Sequence, residues 1–257
     1  MAKVILVRML VSVLLLVGVL TSVLYLAVAR YNRTLAEVRH GAIRVGGLDR
    51  EYRIVIPDST RGRKDLPLLL ALHGALDTTD EMAADTGLDQ LAATHGFLLV
   101  YLQGRNNNWP PNIPPENPDH ITPDLAFFDA ICDAMVAQYA ADRSRIYVVG
   151  VSQGGGMCNL LVATRSERIA AAVCNCGWMP KPLDVTPLRT PHKTPILFLV
   201  GSLDEQVPPR IVKQAHDVFA KAGHPVEIKI LEGVGHGWAK GSGINELIWQ
   251  FLSDKNL

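Results

Sequence analysis

The residues with the clearest chemical potential are Gly150-Val151-Ser152-Gln153-Gly154. They follow the apolar run Arg145 to Val149 and precede a helical stretch opened by Gly154-Gly155-Gly156, the pattern of a nucleophilic serine in a sharp strand-to-helix turn. The spacing has a steric cause: strand and helix approach closely at such a turn, so the residues two places before and after the serine must lack side chains. A Gly-rich phosphate cradle or a plain turn is the alternative reading. A serine hydroxyl is a weak nucleophile at neutral pH and needs a histidine base, itself oriented by a carboxylate. Asp204, in Gly201-Ser202-Leu203-Asp204, and His236, in Gly233-Val234-Gly235-His236-Gly237-Trp238, each follow a later apolar run, in the chain order Ser, Asp, His. Glu205 is the nearest replacement acid, and Asp184 is less well placed. His216 falls within a helical stretch and His224 in a Gly-His-Pro turn, so neither rivals His236. No pair of histidines has helical ligand spacing with a carboxylate nearby, and no metal site is expected.

A tetrahedral intermediate formed at Ser152 would need two donors for its oxyanion. The backbone N–H of Gln153, at the start of a helix, is one. The N–H of Ala75, in Leu72-His73-Gly74-Ala75, is the other, with Gly74 letting the main chain turn. His73 is expected to brace this loop.

These residues require a scaffold that brings strand ends together. Ala42 to Val45 and Tyr52 to Ile56 read as two strands joined through Gly46-Gly47. Leu68 to Leu72, Phe97 to Tyr101, Arg145 to Val149, Ile169 to Val173, Ile196 to Val200 and Val226 to Leu231 read as buried parallel strands. Between and after them, Glu81 to Thr94, Leu125 to Tyr139, Gly154 to Thr164, Pro209 to Ala222 and Ile244 to Leu252 have helical periodicity. The alternation predicts an α/β fold: a mostly parallel sheet with helices on both faces, preceded by an antiparallel hairpin, its ligands bound beyond the carboxyl ends of the strands. Asn106 to Pro123 is too long for a simple connector and is either a functional loop or an insertion.

The 257 residues carry 25 Lys+Arg and 25 Asp+Glu and are 48% apolar. A neutral chain with no basic stripe lacks the electrostatic footprint of nucleic-acid binding, and it is too apolar for a disordered protein. Met9 to Ala29 contains no charge. Residues 1–29 therefore read as a membrane anchor or a cleavable signal peptide, residues 30–41 as a linker, and residues 42–257 as one catalytic domain. Arg30, Arg33 and Arg39 oppose the orientation signal of Lys3 and Arg8. Export is expected, to a secreted, periplasmic or membrane-anchored location. Without the first 29 residues the chain has 23 basic and 25 acidic residues, so the domain is mildly acidic. Cys132, Cys158, Cys174 and Cys176 could be disulfide-bonded in an oxidising compartment or remain buried thiols.

Leu72-His73-Gly74, the Gly87 to Gly96 stretch before Phe97-Leu98-Leu99-Val100-Tyr101, the Trp109 loop, Asp124-Leu125-Ala126-Phe127, Arg145 to Gly150, the Ser152 turn and His236-Gly237-Trp238 together resemble the exported polyhydroxybutyrate depolymerase and feruloyl or acetylxylan esterase group of α/β-hydrolases. The resemblance covers roughly residues 42 to 252. It implies a serine esterase with Ser152, Asp204 and His236 as its triad and no cofactor. Two departures count against degradation of an insoluble polymer: no substrate-binding module is read after the core, and a segment of anchor length precedes it.

Three of the four tryptophans, Trp109, Trp178 and Trp238, fall in loops expected at the carboxyl edge of the sheet and are candidate walls for a sugar ring, a phenolic ring or an acyl chain. The alternative is that they pack their own loops. Trp249 is assigned to the core. Asn175 to Pro195 is short for a cap domain, which predicts an open site that admits bulky or polymeric esters.

Overall fold

A computed structural model describes residues 14, 15, 17–22, 35–110, 112, 117–184 and 187–257. Continuous apolar runs can be strands only if helices cover both faces of their sheet, and that is how the chain folds. The strands are β1 (Ala36–Val45), β2 (Leu48–Pro57), β3 (Leu66–Leu72), β4 (Leu98–Leu102), β5 (Ala141–Val151), β6 (Ala171–Asn175), β7 (Ile196–Gly201) and β8 (Val226–Leu231). They form one sheet in the order β1-β2-β4-β3-β5-β6-β7-β8. The β1-β2 and β2-β4 pairs are antiparallel and all the others parallel. The helices are α1 (Thr79–Thr86), α2 (Leu88–His95), α3 (Thr122–Tyr139), α4 (Gln153–Arg165), α5 (Pro209–Lys221) and α6 (Ile244–Leu252). Every residue of β3, β4, β6 and β7 is buried, whereas the edge strand β8 alternates.

The hairpin turns at Gly46-Gly47, both at positive φ (57° and 82°), the conformation a two-residue turn needs to match the strand twist. β1 begins at Ala36, so residues 36–41 are strand and not the linker expected for 30–41. Their pairing runs from Ala36 opposite Pro57 to Gly41 opposite Tyr52. Glu37 to His40 are exposed or half-exposed on an edge strand, and they carry no apolar run to mark them.

The helical stretch Glu81 to Thr94 is two helices. Gly87, at φ 65°, takes the left-handed conformation that ends α1, and its N–H donates to the Ala83 carbonyl. The Asn245 side-chain amide, in α6, donates to the Thr86 carbonyl at 2.9 Å. The turn directs the last residues of α1 towards the carboxyl ends of the strands.

Residues 14, 15 and 17–22 are helical, and among the described residues no helix is long and apolar enough to cross a membrane. Most of the segment 9–29 read as an anchor or signal peptide lies outside the described residues. So do residues 111 and 113–116 of the Asn106 to Pro123 loop, and 185 and 186 of the Asn175 to Pro195 connection. The described part of that connection after Asn175 contains turns and irregular chain.

A buried ionic cluster ties β2 to α3 and to the loop after β4. Asp124, 1% exposed, accepts from Arg50 at 2.8 Å and from Arg105 at 2.9 Å. Arg50 also donates to the carbonyls of Pro123 and Gln103 and lies over the Phe127 ring. A buried charge is tolerated when its partners satisfy it in this way.

Candidate active site

Along the sheet, β3 to β4 steps one way and β5 onward runs the other, so the direction of winding reverses between the neighbours β3 and β5. A crevice opens beyond the carboxyl ends at such a reversal. The loops leaving these two strands are Leu72 to Asp77 and the turn at Ser152. Here Ser152 takes φ 56°, ψ −118°, a strained conformation of the kind that costs about 1–3 kcal/mol and persists only when its surroundings enforce it. The enforcement is visible atom by atom. A Cβ on Gly150 would lie 2.2 Å from the Gly154 carbonyl oxygen, and one on Gly154 would lie 2.1 Å from that of Leu72. The Ser152 N–H donates to the Asn175 carbonyl at the end of β6, at 2.9 Å.

His236 arrives on the loop after β8. Its Nε2 lies 2.9 Å from Ser152 Oγ and its Nδ1 2.8 Å from Asp204 Oδ2. Because a carboxylate only accepts, Nδ1 carries the proton, and Nε2 is left to accept from the serine hydroxyl. The Asp204 side chain is fully buried, and its Oδ1 accepts from the amides of Gln206 (3.0 Å) and Val207 (2.8 Å). Of the alternatives, Glu205 is exposed, His216 bonds Asp217 on α5, and His224 is buried between Thr190 and the Thr194 carbonyl.

Two supports of this line were not foreseen from sequence. Gly201 ends β7 where the His236 loop crosses it: a Cβ there would lie 2.1 Å from the Val234 oxygen and 2.5 Å from that of Gly235. Asn175, almost completely buried, also donates from its side chain to the Gly237 carbonyl at 3.0 Å, so one residue holds both the serine turn and the histidine loop. Glycine in a Gly-x-x-Asp turn is a signal that close approach could have explained. A buried asparagine after an apolar run gave none.

The loop after β3 is braced as expected. The Gly104 N–H donates to His73 Nε2 at 2.9 Å, which places the proton on Nδ1, and Nδ1 donates to the Gly74 carbonyl at 2.6 Å. Burial holds the His73 pKa below the ordinary imidazole value, so the ring stays neutral in this role. Gln103 adds further bonds: its Oε1 accepts from Thr79 N–H at 3.0 Å, and its Nε2 reaches the Asp77 carbonyl at 3.3 Å. The turn differs in one respect. The residue at positive φ is Leu76 (60°) and not Gly74, and the Leu76 amide is anchored to the Asn107 carbonyl at 2.8 Å.

A cavity of about 490 Å³ opens over Ser152. It is lined by Val151 and Ser152 of the serine turn, by Gly74, Ala75, Asp77, Met82, Asp85 and Thr86 from the loop after β3 and α1, and by Gln206, His236, Gly237, Trp238 and Lys240 from the loops after β7 and β8. Of the three candidate aromatic walls only Trp238 belongs to it, its indole N–H donating to Asn245 at 3.0 Å. Trp109 is 2% exposed and lies behind the loop after β3: its indole donates to the His73 carbonyl at 3.1 Å, and its backbone N–H donates to the Gln153 side chain at 2.9 Å. The expectation that Trp109 contacts substrate is therefore corrected. Its apolar ring and single donor satisfy a buried loop instead. Trp178 is half-buried, packs near Gly156 and accepts from the Asn159 amide at its carbonyl. It is not among the residues that line this cavity.

Cys176, at φ 42° and buried, sits beside this line; its Sγ and ligand atoms of Asp204 and His236 all lie within 4.8 Å of one another. These atoms do not suit an ion. Burial pushes the thiol up to about 11, so it stays protonated, while Asp204 and His236 Nδ1 are already joined by a 2.8 Å hydrogen bond.

Strand order, the positive-φ serine between β5 and α4, and the loop order Ser, Asp, His define an α/β-hydrolase fold. The dienelactone hydrolase family profile matches residues 114–248, and the chain belongs to that family. It is 33% identical over 112 residues to feruloyl esterase B of Neurospora crassa, a match covering 43% of this chain and 38% of that protein. It is 34% identical over 121 residues to poly(3-hydroxyalkanoate) depolymerase C of Paucimonas lemoignei, covering 43% of this chain and 28% of that one. The chain thus spans less than half the length of these curated relatives. An acetyl xylan esterase structure from Aspergillus awamori superposes with a TM-score of 0.68 at 15% identity, over 83% of this chain and 98% of that one, a likeness of fold. The esterase and depolymerase resemblance carried by the motifs is borne out by these relatives.

Proposed function

We propose that the chain is a serine carboxylic-ester hydrolase acting through an acyl-enzyme. The observation that carries the reading is the unbroken line Ser152 Oγ, His236, Asp204, with bonds of 2.9 and 2.8 Å, opening into a cavity large enough for a small ester. Ser152 Oγ attacks the ester carbonyl as its proton passes to His236 Nε2, and Asp204 stabilises the imidazolium. The Ala75 and Gln153 amides take the oxyanion; Gln153 stands at the N-terminus of α4, where the helix dipole favours negative charge. His236 then protonates the departing alcohol, and water, activated by the same imidazole, releases the acid and restores Ser152.

The names of the relatives support feruloyl, acetylated-sugar and hydroxyalkanoate esters, along with short-chain esters, as the substrates to examine first. Residues 1–29 support an exported enzyme, which fractionation of expressing cells tests. For the chemistry, the purified full chain is assayed with p-nitrophenyl acetate and butyrate. Turnover is expected, with kcat/KM falling by about 10⁴–10⁶ in Ser152→Ala. Equal rates in both proteins would remove Ser152 as nucleophile.

A further inference from the structure

The cavity over Ser152 is electrostatically lopsided. Asp77 reaches its lining from the loop after β3, and Asp85 from α1. Glu81, on the exposed face of α1 between them, accepts from the Thr78 hydroxyl at 2.9 Å. Among the described residues of the lining the cation is Lys240, whose ammonium reaches α1 and donates to the Ala84 carbonyl, the neighbour of Asp85 in the chain, at 2.7 Å. Among the described residues neither Asp77 nor Asp85 has a basic side chain within ion-pair distance, unlike Asp89, Asp124 and Asp129, each of which is bonded to an arginine. Asp77 accepts from the Thr78 amide, at 2.8 Å, and carboxylates placed in a partly enclosed cleft without basic partners keep their field directed into it. Their crowding also shows in Asp77, whose pKa is raised by burial first and then by Glu81 and Asp85. The cavity is a ligand site on independent grounds, since it holds the Ser152 and His236 pair.

Resting on the esterase reading, we propose that Asp77 and Asp85 are specificity-determining residues that make the cleft select esters by charge, favouring a cationic substrate over a neutral isostere and disfavouring one that carries a carboxylate near the scissile bond. At roughly 8 Å and an effective dielectric of about 45–80, between a protein surface and bulk water, each carboxylate changes the binding of a substrate charge by about two- to five-fold, so the pair gives about ten-fold. Lys240 works against them.

The test uses the full chain and three p-nitrophenyl esters of matched length: 5-(trimethylammonio)pentanoate, hexanoate and the adipate monoester. The expected order of kcat/KM is cation, neutral, anion, with a cation-to-anion ratio of about ten or more that shrinks in 0.5 M NaCl. The ratio should fall in Asp85→Asn and in Asp77→Asn and rise in Lys240→Gln. Asp85 and Lys240 are exposed, so folding is not at risk in those two variants. A ratio within two-fold of one, or one that neither aspartate substitution moves, overturns the proposal while leaving the esterase reading intact. Absence of turnover with all three esters overturns the esterase reading and this proposal with it.

Discussion

Ser152, Asp204 and His236 could be chosen from sequence because each stands in a glycine-flanked turn after an apolar run, and the turn dictates what the side chain does. The choice between neighbours was open. Asp204 and Glu205 are adjacent carboxylates, and only burial separates them: Asp204 faces His236 and two amides, while Glu205 faces water. Asp204→Asn is expected to lower kcat by about 10⁴, because an amide no longer selects the Nδ1–H tautomer of His236, whereas Glu205→Gln should stay within about two-fold. Steady-state kinetics on a p-nitrophenyl ester checks both, and the opposite pattern would exchange the two roles. Trp109 shows the limit of residue-level reading. A tryptophan in a loop at the right end of the sheet looks the same in sequence whether it faces substrate or backs the loop that does.

At the level of elements, helices and strands were legible wherever burial was continuous, and least so at edges. β1 was shortened because its first half is an exposed edge with nothing apolar to declare it, and α1 and α2 read as one helix because Gly87 interrupts the backbone without interrupting the apolar spacing. The contact between the ends of β7 and β8 had no such pattern at all. It depends on Gly201, where a methyl group would lie 2.1 Å from a carbonyl oxygen of the loop carrying His236. Gly201→Ala should displace that loop and lower kcat by about 10² or more, since an error near 1 Å at a reacting group has that effect. Gly235→Ala, whose added methyl would meet no atom within 4 Å, is the contrast and should stay within a few-fold. Kinetics alongside a melting temperature separates displacement from unfolding; equal activity in both variants would mean the crossing tolerates a methyl.

Across the whole molecule, two histidines are folded into the interior as neutral rings. Burial holds both His73 and His224 below the ordinary imidazole pKa. The unfolded chain therefore binds protons at these positions more readily than the folded one. Their contribution to stability is complete above the unfolded pKa of about 6.5 and declines as pH falls through and below it, by up to about 1.4 kcal/mol per pH unit for each ring. Urea midpoints at pH 7.5, 6.5 and 5.5 should fall in that order, with a shallower dependence in His224→Asn. A flat profile would show that the interior accommodates the charged rings. The Arg50-Asp124-Arg105 cluster acts on the same scale, joining the hairpin, α3 and the loop that carries Trp109, and so reaching the loop after β3 from behind.

What the sequence by itself determined is the class of fold and the residues that meet at its strand ends: a serine whose neighbours must be glycines, the order in which Asp204 and His236 follow it, and a strand-helix alternation that needs a covered parallel sheet. These are local consequences of sterics and periodicity. Tertiary structure alone decided which strand ends meet, which of two adjacent acids is buried, which tryptophan faces the cavity, and that Asn175 and Gly201 hold the two halves of the site together. Each of these depends on groups far apart in the chain coming within a few ångströms. It decided also that Asp77, Asp85 and Lys240 line one cavity with Ser152, which no spacing along the chain records.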